Sequence, residues 1–595
     1  MRNKFSFLLL IPTLLSVTGC SPSHKISFVS DSFTFDTYYD DSYFLLDNKE
    51  VHEEIALASH AMALATFRGG EDYENHSENL KNLWQKEGFS KIYMNDAFYI
   101  KPQTDSIAFG IASKVINDFA LVAIAVRGGN YDAEWASNFT IGLEGNATGF
   151  NQASDAVVKG FDDYVKGNNL TGHLKIWISG YSRAAITSNM AAGKLINRTN
   201  ANQLPDSYTY SINDIYAYCF EPPMGVEATL EEARAPIYQG IHNFLNYNDF
   251  VPLVAPYEWG FTRYGTDHYY PDRTNDIYFD ETERKKILSL YHFTYGANKF
   301  AEYTVDKWKF FDVGEAKAAL DNLPRKSLNP SQGRFSRNLI SSVAVDGFYD
   351  RETYYSYLEN GLRQLLAAAF GANEKIGKLN GNALVDIIFE YTFIKDLFLE
   401  LENNESEEFA VDMQLLFLQI FGANDQTFEE VMNIYVNNFN FFTLLPKSFK
   451  TRKDVLAQLL YRDNMMGIAI GHMPELSYSL LCACDSRFMG DNKCKLNDGS
   501  YYILHLDNPK NFTLIEKNLK KEVFAYKDGE MISNCLSAEQ FANGSIDVYL
   551  PKNGEYEYIV NSDGITLTNV DPVTGIGKEQ IHLGVGNGTI LKRGE

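Results

Sequence analysis

Apolar and polar positions along this chain change their period several times, and each period predicts a kind of element. Residues 51–67 and 151–165 carry apolar side chains at helical spacing. Residues 119–126 form an unbroken apolar run, which is typical of a strand buried on both faces of a sheet. A further strand pattern, which starts at residue 173, turns abruptly into good helix formers over 184–195. This order predicts an α/β fold with a largely parallel sheet.

The pattern changes again in the second half of the chain. Apolar residues at helical spacing recur in the stretches 283–290, 354–369, 384–401, 411–420, 428–437 and 455–461. From about residue 485, short strand-like runs are broken by Asp-Gly, Asn-Gly and Pro turns, over 501–506, 522–526, 546–550, 556–560 and 565–570. We therefore predict an α/β core over 47–280 and 455–484, a large helical cap insertion over 281–454, and a small all-β, sandwich-like domain over 485–595.

Size and charge narrow the classes of function. With 595 residues the chain is long enough for two to four domains, and 45% hydrophobic residues can build large cores. The formal net charge of −24 supplies no basic excess to bind phosphates, so we expect no nucleic-acid partner.

The N-terminus has the order of a bacterial lipoprotein signal. Arg2 and Lys4 precede an apolar run over 5–17, and the run ends in Thr18-Gly19-Cys20. We predict a signal peptide over 1–19, lipidation of Cys20, a tether over 20–46 that could add an edge strand, and an exported protein held at a bacterial membrane by this lipid anchor. A plain secretory peptide with an incidental cysteine is the alternative.

Five cysteines remain besides Cys20, and because this number is odd they cannot all pair with one another in disulfides. Cys219 lies in an apolar strand pattern, and we expect a buried free thiol there. The remaining four could form disulfides in an exported protein, although a zinc site, whose usual spacing they lack, is the alternative: Cys482, Cys484, Cys494 and Cys535.

The strand-to-helix turn carries the segment Gly180-Tyr181-Ser182-Arg183-Ala184. A serine at such a turn has the geometry of a nucleophile elbow, in which the residues two before and two after the serine must be small. Ser182 is then the candidate nucleophile, and the backbone N–H of Arg183 is a candidate oxyanion donor. A serine that merely begins a surface helix is the alternative, because Ala184 replaces the last glycine of the usual G-x-S-x-G pattern.

A second motif follows the buried run 119–126, which ends in Arg127-Gly128-Gly129, with Trp135 a few residues later. Taken alone this is a glycine turn after a strand. Together with the elbow, it resembles the class 3 (triacylglycerol) lipases of the α/β-hydrolase fold, in which an Arg-Gly-Ser or Arg-Gly-Thr turn precedes a tryptophan. The resemblance makes Gly129 an oxyanion-hole residue, without the family's hydroxyl. Tyr181 and Arg183 also depart from that family's elbow.

A serine nucleophile of this kind works with an acid and a histidine, and the candidates for both follow later in the chain. Asp249 lies in Asn248-Asp249-Phe250-Val251-Pro252, at the end of a predicted strand, and resembles the family's catalytic acid. Chain order in this fold puts the histidine after the acid. We prefer His472, which lies on a glycine-flanked loop before a proline. We interpret His268 as structural and His292 as packed in the core. His582 is a remote alternative.

The combined hypothesis is a surface-anchored serine hydrolase that cleaves carboxylic esters, most simply those of lipids, through Ser182, His472 and Asp249. This chemistry calls for no cofactor and no metal. A short-chain or carbohydrate esterase is one alternative. The other is a non-catalytic surface lipoprotein that binds glycan or protein. The ligand of the C-terminal domain stays open between a glycan, a surface and a protein, which includes the protein's own hydrolase domain.

Overall fold

The computed structural model describes the chain in segments, with the gaps between them left undescribed: 24–30, 33–67, 77–100, 107–128, 137–138, 140–246, 249, 251–255, 257–270, 351–352, 359, 363, 374–381, 383–384, 387, 472, 474–517, 520–534, 538–540, 543–551, 556–561, 564–574, 577–583 and 588–590. The predicted signal peptide, Cys20 and nearly all of the predicted insertion over 281–454 therefore lie outside the described residues.

The described part begins with an antiparallel hairpin of β1 (His24–Ser30) and β2 (Phe33–Tyr39). Phe35, Thr37 and Tyr39 are buried in alternation along β2, so one face of this strand joins the main core. The hydroxyl of Tyr478 donates to the carbonyl of Asp36 at 2.8 Å. The stretch predicted as a tether that could add an edge strand, residues 20–46, thus contains a packed hairpin from residue 24, because Phe35, Thr37 and Tyr39 have the period of two of a half-buried strand.

The main sheet has the order β12-β10-β8-β6-β5-β4-β3, with β7 paired to β6. The strands from β5 to β12 in this order run parallel to one another, and β4 and β3 complete one edge antiparallel. Its strands are β3 (Ser90–Met94), β4 (Phe109–Ile116), β5 (Phe119–Val126), β6 (Gly172–Tyr181), β7 (Tyr208–Thr209), β8 (Ile215–Phe220), β10 (Ile241–Leu245) and β12 (Thr266–Tyr269). A two-stranded antiparallel pair of β9 (Val226–Glu227) and β11 (Phe261–Thr262) lies outside this sheet.

Helices cover both faces of the sheet. The long helices are α1 (Glu53–Leu64), α2 (Glu78–Lys86), α3 (Thr148–Gly167), α4 (Arg183–Asn200) and α5 (Pro474–Ala483). Side chains of β6 alternate between the two cores: Trp177 packs with α1, α2 and α5, whereas Ile176 and Ile178 pack with α3 and α4. A mixed, mainly parallel sheet between two helical layers fits an α/β-hydrolase-like fold.

Short helical segments connect these elements. The short α-helices are Leu230–Ala233, Glu374–Gly377 and Ser486–Met489. The 3-10 helices are Asp41–Leu45, Asp96–Phe98, Ile212–Asp214, Pro236–Tyr238, Val251–Leu253, Tyr257–Trp259 and Gly490–Asn492. Within the described segments, no helix is long and apolar enough to cross a membrane.

The C-terminal part contains two five-stranded antiparallel sheets, of order β17-β18-β13-β20-β21 and β16-β15-β14-β19-β22. Their strands are β13 (Tyr501–Asp507), β14 (Asn511–Glu516), β15 (Lys521–Lys527), β16 (Glu530–Asn534), β17 (Ala538–Gln540), β18 (Ile546–Pro551), β19 (Tyr556–Asn561), β20 (Gly564–Val570), β21 (Gly577–Leu583) and β22 (Gly588–Ile590). Leu504 of the first sheet and Leu514 of the second belong to one apolar cluster, as in a β-sandwich. The buried Asp571 accepts from Arg234 of the α/β core at 2.8 Å.

Cys219, Cys482 and Cys484 are buried free thiols, and Cys494 is also buried. The buried thiol expected at Cys219 is confirmed. Cys482 and Cys484 form no disulfide among the described residues, and Cys535 lies outside them. Burial raises the pKa of the Cys482 and Cys484 thiols above their ordinary value, as expected for packed, unreactive side chains.

Candidate active site

Ser182 occupies the turn between β6 and α4. Its backbone has φ +60° and ψ −129°, a conformation that non-glycine residues rarely adopt. Its N–H donates to the carbonyl of Phe220 at the end of β8 (2.9 Å), and its own carbonyl accepts from Ala185 in the first turn of α4 (2.8 Å). These bonds fix a strained turn with the serine at the carboxyl end of the sheet, only partly buried.

The turn requires close backbone contacts on both sides. A Cβ atom added at Gly180 would lie 2.4 Å from the carbonyl oxygen of Ala184, so only glycine fits there. Ala184 itself is buried, and its methyl group packs in the core formed with α3 and α4. The structure thus accommodates alanine where the usual elbow pattern has a second glycine.

Asp249 lies beyond the end of β10, two strands away from the serine. Its N–H donates to the carbonyl of Asn246 at 3.0 Å, and its Oδ1 accepts the N–H of Val251 at 2.8 Å. The side chain is fully buried. Backbone on either side of Asp249 therefore holds this carboxyl group in one orientation.

His472 lies in a turn two residues before α5 and joins the two side chains. Its Nδ1 is 2.6 Å from Oδ2 of Asp249, and its Nε2 is 2.7 Å from Oγ of Ser182. With Asp249 as acceptor, Nδ1 carries the proton, which leaves Nε2 to accept from the serine hydroxyl. Residues that are 223 positions apart in the chain, Asp249 and His472, thus meet at the serine.

Burial sets the protonation of this group. Desolvation lowers the pKa of His472 to about 4, so the imidazole is neutral at neutral pH, as a general base must be. Desolvation also raises the pKa of Asp249, and this shift is opposed by the Val251 N–H and by the carboxyl group of Glu221. The site can take a proton from Ser182 and hold it on His472.

The predicted oxyanion donors are described only in part. Arg183 is the first residue of α4, so its N–H belongs to the helix turn whose N–H groups lack intrahelical acceptors. Its side chain is buried. Gly129 and Trp135 lie outside the described residues. A Cβ atom at the neighbouring Gly128 would lie 2.8 Å from the carbonyl oxygen of Tyr181, so the end of β5 approaches the elbow closely.

Solved structures with some similarity are fungal lipases. A Rhizomucor miehei lipase–propeptide complex matches with a TM-score of 0.28 and 16% identity over 38% of this chain and 70% of that one. Lipase II from Rhizopus niveus matches with a TM-score of 0.25 and 13% identity over 36% of this chain and 78% of that one. No family model and no curated protein matches the sequence. TM-scores this low establish no function, which has to be argued from the site geometry.

The other histidines considered lie elsewhere. His268 is on β12, where its Nε2 lies 3.0 Å from Nδ1 of His242, far from Ser182 in the strand order. Burial lowers the pKa of His268 to about 4, as it does for His472, so the position of His268, and not its pKa, sets it apart from the serine. His582 is on β21 of the sandwich, beside Thr566. His292 lies outside the described residues.

Two residues at the site were not predicted as functional. Glu221, directly after β8, brings a second buried carboxyl group to Asp249. The hydroxyl of Tyr181 donates to the backbone carbonyl of His472 at 3.1 Å. An acidic residue at the carboxyl end of the strand next to the serine strand was a usable signal for Glu221. Nothing local in the sequence pairs Tyr181 with a loop 291 positions away.

Proposed function

We propose that this protein is a serine hydrolase that cleaves carboxylic esters through an acyl-enzyme intermediate. The observation that carries the proposal is the chain of contacts from Ser182 Oγ to His472 Nε2 at 2.7 Å and from His472 Nδ1 to Asp249 Oδ2 at 2.6 Å. A strained serine turn and a neutral, largely buried histidine support the same chemistry.

In the proposed reaction, Oγ of Ser182 attacks the ester carbonyl carbon while its proton moves to Nε2 of His472. Asp249 keeps the proton of Nδ1 in place and stabilises the imidazolium. The N–H groups of Arg183 and Gly129 donate to the oxyanion. His472 then protonates the leaving alcohol, and water, activated by the same imidazole, releases the acid from the serine.

For the substrate we propose lipid esters such as acylglycerols. The support is the sequence resemblance of the Arg127-Gly128-Gly129 turn and the Ser182 elbow to class 3 lipases. We also propose, from the sequence of residues 1–20, that the chain is exported and anchored through Cys20. Loss of incorporation of a labelled fatty acid in Cys20→Ser tests the anchor.

The experiment is ester hydrolysis by the purified protein over a series of p-nitrophenyl esters from acetyl to palmitoyl, followed by a triacylglycerol emulsion. Turnover that rises with acyl length and vanishes in Ser182→Ala supports a lipase. Turnover limited to acetyl or butyryl esters would replace the lipid substrate with short-chain esters. Activity that persists in Ser182→Ala would contradict the proposed mechanism.

A further inference from the structure

A second buried carboxyl group lies beside the acid of the proposed triad. Glu221 directly follows β8 and is fully buried. Its backbone φ is +52°, in the left-handed region that non-glycine residues rarely adopt. Its N–H donates to the carbonyl of Phe244 at 2.8 Å, which extends the pairing of β8 with β10 by one bond. This conformation places the side chain at the carboxyl end of the sheet, next to Asp249.

The two oxygen atoms of Glu221 have different surroundings. Oε2 accepts the N–H of Asn246 at 2.8 Å. Oε1 is buried and meets no N–H or hydroxyl donor in the part of the chain that the structure describes. The Glu221 carboxyl group lies close enough to that of Asp249 for each to shift the pKa of the other. A carboxylate would leave Oε1 desolvated and uncompensated, whereas a carboxylic acid could donate from this atom.

In contrast to Glu221, Asp249 has an N–H donor at each of its two carboxyl oxygens. Val251 donates to Oδ1 at 2.8 Å, and Nδ1 of His472 lies 2.6 Å from Oδ2. Two ionised carboxyl groups in contact in a buried site would repel each other strongly. Burial raises the pKa of both carboxyl groups above the ordinary value; the charge of Asp249 adds to the shift of Glu221, whereas the Val251 N–H opposes the shift of Asp249. The donors around Asp249 therefore place the negative charge on Asp249 and the proton on Glu221.

We propose that Glu221 is a positioning residue for the triad: as a neutral carboxylic acid it donates a hydrogen bond to Asp249 and leaves the single negative charge of the pair facing His472. This inference rests on the proposed hydrolase function. The titratable groups that face Glu221 are Asp249, His472 and Tyr270. Tyr270 is held neutral by burial and shares a hydrogen bond with Ser477 at 3.1 Å, so Asp249 and His472 are the partners that matter.

Two variants of the full-length protein separate the hydrogen bond that Glu221 donates from the space that its side chain fills. Glu221→Gln keeps the side-chain length and an N–H donor, and it cannot ionise. Glu221→Met keeps the length and removes the donor. We expect Glu221→Met to lower kcat about 10- to 100-fold with KM changed by less than about 2-fold, since Asp249 and His472 lose their fixed orientation. Glu221→Gln should retain kcat within about 3-fold. The exposed Glu231→Gln is the matched control.

The pH profile and an infrared spectrum report the proton itself. If Glu221 is neutral, Glu221→Gln leaves the acid limb of kcat/KM where it is in the wild type. The difference spectrum between wild type and Glu221→Gln should contain the C=O stretch of a protonated carboxyl group. Other buried acids such as Glu87 cancel in this difference. The infrared measurement needs no enzymatic activity and is also independent of how Glu221→Met folds.

The outcomes are distinct. A protonated-acid band with an unmoved acid limb in Glu221→Gln, and a slow Glu221→Met, support the proposal. Absence of the band overturns it, and so does an acid limb that moves to lower pH in Glu221→Gln, because loss of an ionised neighbour would lower the pKa of His472. A wild type that carries the band and hydrolyses no ester would overturn the hydrolase function and the positioning role, and leave the proton assignment intact.

Discussion

Two histidines in the described part of the chain contact an aspartate through Nδ1, one at the carboxyl end of the main sheet and one on the β-sandwich. Nδ1 of His472 is 2.6 Å from Oδ2 of Asp249, and Nδ1 of His505 is 2.6 Å from Oδ1 of Asp547. The second ring nitrogen of His472 faces a serine hydroxyl, whereas that of His505 lies 3.1 Å from another carboxylate, Asp507. The first contact is the same in both pairs, and the remaining surroundings differ.

The surroundings shift the pKa values of the two histidines in opposite directions. Burial lowers the pKa of His472 to about 4. Partial burial also acts to lower the pKa of His505, but its bonds to Asp547 and Asp507 outweigh that effect and raise the pKa above its ordinary value. A histidine–aspartate contact therefore does not by itself make a catalytic base. Desolvation and a nucleophile on the far nitrogen distinguish the pair at the sheet.

The largest expected difference comes from removing each histidine. His472→Ala should lower kcat at least about 10⁴-fold, because the serine loses its proton acceptor. His505→Ala, the matched control, should leave kcat within about 2-fold, since His505 lies outside the site. Steady-state hydrolysis of one activated ester measures both. Equal effects of the two substitutions would remove the distinction between the pairs.

The aspartates should differ somewhat less. Asp249→Asn leaves the shape intact and favours the wrong tautomer of His472, so we expect kcat to fall about 10³- to 10⁴-fold. Asp547→Asn should not change kcat and should lower the pKa of His505, because a charged partner is lost. Steady-state kinetics measures kcat of both variants, and an NMR titration measures the pKa of His505 in Asp547→Asn. Full activity of Asp249→Asn would argue that another acid orients His472.

The pH dependence sharpens the same comparison. Because His472 must be neutral to act and its pKa is lowered to about 4, kcat/KM should stay nearly constant from pH 7.5 down to about pH 5.5 and be lost around pH 4. A base with the ordinary pKa of about 6.5 would already have lost about 10-fold at pH 5.5. His505 should bind its proton above pH 6.5. An acid limb near pH 6.5 would contradict the buried state assigned to His472.

The smallest effect is expected at Tyr181. Tyr181→Phe removes one hydrogen bond to the carbonyl of His472, worth about 1 kcal/mol, so kcat should fall about 5-fold. Tyr164→Phe removes the hydrogen bonds of another tyrosine hydroxyl, to the carbonyl of Lys91 and to Oγ of Ser113, on another part of the sheet, and should leave kcat unchanged. Kinetics of the two variants side by side decide whether the bond at Tyr181 supports the histidine loop.

Much of the α/β core could be predicted from sequence because its signals are local. The unbroken apolar run became β5, and the change of period at Ser182 became the β6–α4 turn, within a few residues of the expected bounds. β14 was missed, although Asn508-Pro509 precedes it and its residues alternate between buried and partly exposed. Residues 24–39 were predicted to belong to a tether that could add an edge strand. The many polar residues there made the alternation of buried side chains hard to recognise in the sequence.

The site was predictable to a lesser degree. Ser182 follows from a local pattern, but the contact of Asp249 with His472 spans 223 positions and was inferred from chain order and resemblance. Their catalytic roles stay a proposal, as do Gly129 and Cys20, which lie outside the described residues. Glu221 was missed although it follows the strand next to the serine strand, because its burial depends on what β10 and the following loop place against it.

The most direct test of the account is labelling of the folded protein with a fluorophosphonate, followed by intact mass measurement and peptide mapping. We predict one adduct, located on Ser182, that is lost in Ser182→Ala and His472→Ala and retained in His505→Ala and in Ser207→Ala, where the residue is exposed. An adduct on a different serine, or no adduct on the folded wild type, would contradict the claim that His472 and Asp249 activate Ser182.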